Sequence, residues 1–212
     1  MTCPNAYAGV KKIYNAEIMA IVAAVLMVLG ALFALLGIAS EGIGIALVGG
    51  VFVIIAGILL IIAAIINIVG VSRASKDEGA FKNALIALCV GIIANIVVSS
   101  AGQNSFLGGL GSFVNKVAEF LATYFVCTGV INLADRFGDY AVKEKGEKYR
   151  KILMCVFGLS AVLSLLSAIF ANGGGMTGVL GVLTLLSAII SAVAYVIYLG
   201  MLKKARDMLA EN

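Results

Sequence analysis

Few residues in this 212-residue chain have side chains that could do chemistry in an apolar setting. Three amides, Asn67, Asn95 and Asn132, lie within long hydrophobic runs. Tyr124 and Thr128 share a helical stripe with Asn132 at four-residue spacing, whereas Glu119, Thr123 and Cys127 fall on a separate face. Amides, hydroxyls and a phenol in such rows could hold an uncharged or weakly polar solute, and Glu119 could take a cation or a proton. The candidate ligand set is therefore Asn67, Asn95, Glu119, Tyr124, Thr128 and Asn132. The same side chains also suit plain helix packing, since an amide or hydroxyl in an apolar interface can hydrogen-bond a neighbouring helix. Glu119 can likewise be an interfacial residue facing Lys116, three positions earlier.

Several classes of chemistry are excluded. The chain has no histidine, which removes an imidazole base, a His-liganded metal and a Ser-His-Asp triad. Intramembrane hydrolysis would then need a Ser–Lys pair or two aspartates, and neither falls within the hydrophobic runs. No Asp, Glu, Lys or Arg stands near the middle of a run, which argues against proton pumping, voltage sensing and charge-coupled transport. The four cysteines, Cys3, Cys89, Cys127 and Cys155, form no C-x-x-C pair, so neither a zinc nor a redox motif is supported. Gly173, Gly174 and Gly175 suggest a phosphate loop, but no Gly-Lys-Ser/Thr follows. The expectation is a non-enzymatic chain with no cofactor and no bound metal.

The elements that must position these residues follow from composition. Hydrophobic residues make up 62% of the chain and charged residues 12%, about half the share of a soluble domain. Mean hydropathy is +1.13. So few charges cannot cover a soluble surface, and the lipid bilayer is the expected surrounding. Six runs reach the roughly 20 residues that a transmembrane helix needs: 18–39, 43–71, 81–101, 113–134, 152–171 and 179–202. The fold expected is all-α, a polytopic integral membrane protein of six transmembrane helices arranged as three tandem helical hairpins in one transmembrane domain, 1–212. Residues 1–39 imitate a signal peptide, but the apolar run is too long for one and reads as a retained helix.

Charge supports that count. With six spans, 14 of the 15 basic residues fall on the side of the two termini and of the loops 72–80 and 135–151; only Lys116 lies opposite. The positive-inside rule then places both termini in the cytoplasm, with a bacterial cytoplasmic membrane as the expected location. The net charge of +4 describes topology, and no basic face with interleaved aromatics suggests nucleic acid. Loop 135–151 carries six basic and four acidic residues and extends its flanking spans, with Gly138 and Gly146 as expected breaks.

Internal similarity is visible. Gly9-Val10-Lys11-Lys12 resembles Gly70-Val71-Ser72-Arg73, and Ile65-Ile66-Asn67-Ile68 resembles Val130-Ile131-Asn132-Leu133. Small residues recur at four-residue spacing in span three (Ala87, Gly91, Asn95, Ser99), span five (Ser160, Ser164, Ala168) and span six (Thr184, Ala188, Ala192). Such rows let helices approach closely. The function expected is an accessory, oligomeric or interaction component of the membrane, with a homo-oligomer or another membrane protein as partner. The alternative is a transporter, channel or ligand-binding subunit for a small uncharged solute.

Overall fold

In the computed structural model the backbone is described for residues 3–40, 42–101, 106–170 and 177–211, and side-chain surroundings for these residues except 101, 106–110, 112 and 161–189. Six helices account for nearly all of it: α1 (Pro4–Ala39), α2 (Ile43–Ala74), α3 (Gly79–Ala101), α4 (Phe106–Phe137), α5 (Tyr140–Phe170) and α6 (Thr177–Glu211). Among the described residues, four helices are long and apolar enough to cross a membrane, over Pro4–Ala39, Ile43–Ala74, Gly79–Ser100 and Phe113–Phe137. The expected fifth and sixth runs fall partly on side chains outside the described residues, as does the row Ser164, Ala168, Thr184 and Ala188. The Gly173–Gly175 stretch lies wholly outside them. Each helix packs on its neighbours in sequence, and α6 returns against α1.

The helices outrun the hydrophobic runs at one end. α1 begins at Pro4, 14 residues before the apolar run, an overhang of about 21 Å. There the first turn of α1, the α2–α3 turn, the α4–α5 turn and the last turns of α6 gather into a collar. Loop 135–151 is almost entirely helical. Its break is Gly138, at φ 72°, the left-handed geometry that glycine adopts without strain. Asp139 follows, and its carboxylate accepts the backbone N–H of Ala141 and of Val142 at 3.0 Å, capping α5. Gly146, the other expected break, instead sits inside α5: a Cβ there would stand 2.5 Å from the Ile131 side chain, so it is a close-packing position.

Two packing regimes divide the molecule. In the collar, the largest fully buried side chains interlock: Val10 and Ile13 of α1, Val71 of α2, Phe81 of α3, Val130 and Leu133 of α4, Met201 and Leu202 of α6. Burying such groups away from water contributes about 1.5–3 kcal/mol each. Beyond Ala16, α1 buries only Ala23, Gly30 and Gly37, and before Gly70, α2 buries only Gly49, Ala56 and Ala63. With Gly9, Ala16 and Gly70 these form a seven-residue repeat of small residues on both partners, the period of a left-handed antiparallel coil. Lipid is as apolar as leucine, so helices there gain by close backbone approach. The approach is very close: a Cβ on Gly49 would lie 2.6 Å from the Gly30 carbonyl, and one on Gly37 2.5 Å from the Ala46 nitrogen. Large residues point away, with Val28, Leu35, Leu47 and Ile54 exposed.

Helix α4 is the most enclosed of the four. Half of its most apolar window is buried, against 11% for α1 and for α2. The α1–α2 pair therefore presents most of its surface outward, and α4 lies between α3 and α5 with a further contact to α6.

Candidate functional site

The candidate residues go to three separate places. Asn95 on α3 donates to the Asn115 side-chain carbonyl at 3.1 Å, and Asn115 donates onward to Glu119 at 3.1 Å, both on α4. This relay lies on the outer face of the α3–α4 pair, and Asn95 and Glu119 are exposed. Asn132, near the end of α4, donates to Glu78 Oε1 at 2.9 Å in the collar. Thr128 returns its hydroxyl to the Tyr124 carbonyl one turn earlier at 2.9 Å, the ordinary bond of a helical threonine. Tyr124 packs at the edge of Phe125, and Arg150 of α5 stands over its ring at 5.7 Å. Asn67 on α2 reaches Glu17 Oε1 at 3.4 Å.

Glu17 is the centre of a cluster on α1, α2 and α6. Besides Asn67, it accepts a 2.5 Å hydrogen bond at Oε2 from the Tyr195 hydroxyl, whose oxygen also lies 3.2 Å from the Glu17 carbonyl. The Tyr195 ring lies against Tyr198 at 6.3 Å, and Tyr198 stacks on Tyr149 of α5 at 5.2 Å. Tyr195 thus links the Glu17 carboxylate to a row of three tyrosine rings from two helices. The ion pairs among the described residues lie elsewhere, at Arg136–Glu78, Lys143–Asp135 and Arg206–Asp207. Glu17 is level with Asn67 and Tyr195, both inside their apolar runs, so its charge is set back among apolar residues.

A second polar system ties the collar. The Asp77 carboxylate accepts the Ala6 backbone N–H at 2.8 Å and the Asn5 amide at 3.0 Å, capping an α1 whose own N-cap, Cys3, makes no side-chain bond. Glu78 next to it binds Arg136 at 2.9 Å while accepting from Asn132, so the α2–α3 turn holds the start of α1 and the end of α4. Lys143 is pushed above the ordinary lysine range by its bond to Asp135, and Arg206 is raised by its bond to Asp207. Arg206 also lies over the Tyr14 ring at 4.9 Å.

Two grooves open on the sides of the bundle. One, of about 370 Å³, runs between α3 and α4 beside Ile86, Val90, Phe113, Val117 and Phe125. The other, of about 480 Å³, follows Ala20, Ile21, Ala24, Val25, Val28 and Leu29 along α1 and ends at Tyr195 of α6. Both are lined almost wholly by apolar atoms.

No protein-family model, curated protein or solved structure matches the chain at a significant level.

Sequence reasoning passed over Glu17 and Asn115. Glu17 stands one residue before the run beginning at Ile18, where it reads as a flanking charge. Its signal was the apolar company on its own face, Ile13, Ile21 and Ala24 at helical spacing. Asn115 lies four residues before Glu119, the spacing at which helical side chains meet.

Proposed function

We propose that the chain is a six-span integral membrane protein, built as three helical hairpins with both termini in the cytoplasm, that works without catalysis as an accessory, oligomeric or interaction component of the membrane. The observation that carries this reading is the dispersal of the polar residues. Asn67 bonds Glu17 of α1, Asn95 bonds Asn115 of α4 and Asn132 bonds Glu78 of the α2–α3 turn, and both grooves of the bundle are apolar. Side chains spent on separate helix contacts leave no common polar path for a solute among the described residues. The outward apolar surface of the α1–α2 pair is where a partner or a second copy would engage.

The collar supports the shared orientation. Its polar latch, its cations and its large buried side chains are what an aqueous boundary selects, and the cytoplasmic side is the one that attracts Lys and Arg. Duplication has support of its own. Asn67 binds Glu17 as Asn132 binds Glu78, and each glutamate stands eight residues after its Gly-Val pair, Gly9-Val10 and Gly70-Val71.

The test is the composition of the native particle. Extraction in mild detergent and mass measurement should give two or more 21.8 kDa chains, or one chain with a stoichiometric partner. A lone monomer that moves a solute into proteoliposomes overturns the proposal.

A further inference from the structure

We propose that Glu17 and Tyr195, with the α1–α6 groove that ends at them, form a binding site for a lipophilic organic cation, an amine or onium group on a bulky apolar body. The inference stands apart from lateral assembly and rests on three observations. Glu17 carries a carboxylate that enters no ion pair among the described residues, although it meets Asn67 and Tyr195 within their apolar runs. A charge so placed is costly unless partnered, and its two donors, Tyr195 and Asn67, are neutral. A cation bound beside it would supply the counter-charge that no described residue provides.

The second observation is the shape of the approach. The groove residues occupy one face of α1 beginning one turn past Glu17, and Ile21, Ala24 and Val28 share the face of Glu17 at helical spacing. Tyr195 is the residue common to groove and carboxylate: its side chain forms the groove's end and its hydroxyl holds Glu17. The apolar wall, about 480 Å³ in extent, admits a hydrophobic body from the side of the bundle and delivers a positive centre to the acidic end. The third is aromatic. Tyr195 is backed by Tyr198 and Tyr149, and a cation beside a tyrosine ring is attracted to the π face. A neutral amphiphile would gain from the wall alone, and an anion would be repelled by Glu17.

The experiment is equilibrium binding of radiolabelled tetraphenylphosphonium to the purified full chain in nanodiscs of neutral lipid, with empty nanodiscs subtracted. Saturable binding near one site per chain is expected, with neutral triphenylphosphine oxide competing at least about tenfold less well. Glu17→Gln should weaken binding about tenfold or more, and Glu144→Gln, exposed on α5 and outside the groove, should leave it unchanged. Absence of saturable binding overturns the proposal, as does equal competition by the neutral compound or equal binding by a folded Glu17→Gln protein. The comparison of charged and neutral probes needs only the unaltered chain, so the result does not hinge on how any variant folds.

Discussion

The hydroxyl of Tyr195 on α6 holds the Glu17 carboxylate of α1 at 2.5 Å, across 178 residues of chain. It joins the first helix to the last where the small-residue seam of α1 gives way to the large-residue core of the collar. A neutral donor lets the carboxylate be solvated within the bundle without pairing it to a fixed cation. Tyr195→Phe removes that donor and keeps the ring. Loss of a hydrogen bond to a charged group should cost about 1.5–3 kcal/mol, read as a lower midpoint in thermal unfolding followed by helical circular dichroism.

The seam between α1 and α2 has no room for a side chain. Gly49→Val should separate the helices, because its Cβ would meet the Gly30 carbonyl at 2.6 Å. A loss of about 2–4 kcal/mol is expected in the same measurement. Gly50, the next residue, has nothing within 4 Å of a Cβ, and Gly50→Ala should hold or raise stability by up to about 1 kcal/mol through helix propensity. Equal effects at the two positions would mean that α1 and α2 do not pack through this seam.

Collar and seam should respond differently to truncation. Phe81 is fully buried against Gly129, so Phe81→Ala should cost about 3–5 kcal/mol. Ile54 on α2 is 64% exposed, and in lipid Ile54→Ala exchanges one apolar contact for another. Its effect should stay within about 0.5 kcal/mol.

Asp77 caps α1 from 71 residues away. Asp77→Ala should lower stability by about 1–2 kcal/mol, because the Ala6 N–H loses its acceptor and the positive end of the helix dipole loses its counter-charge. Hydrogen exchange should quicken in the first turns of α1 and remain slow in α4. Asp77→Asn, which keeps an acceptor, should recover part of the loss.

Topology can be read with single cysteines in a background lacking the native four. Cysteines at Glu144 and Lys204 should react with a membrane-impermeant maleimide only when the cytoplasmic face is open to it, and one at Ser40 only from the opposite face. Labelling of Ser40 and Lys204 from the same side would rule out the six-span arrangement.

What the sequence by itself determined is local: where the long apolar segments lie, four of which the described residues bear out as helices able to cross a membrane. Length and hydropathy belong to a segment alone, so α2 and α3 were legible within three residues at either end. The extension of α1 back to Pro4 was not, because residues 4–17 mix Lys11, Lys12 and Glu17 with Val10 and Ile13, and only packing in the collar selects helix there. Gly138 and Gly146 looked alike as breaks. One fell at a turn needing positive φ and the other at a close approach to Ile131, a difference that depends on what faces each residue. The partners of the polar residues were decided by tertiary structure. Helices apolar on all sides carry no stripe to show which face turns inward. The rotation that brings Glu17 to Tyr195, and leaves Asn95 on another helix pair, is set by how whole helices pack against one another.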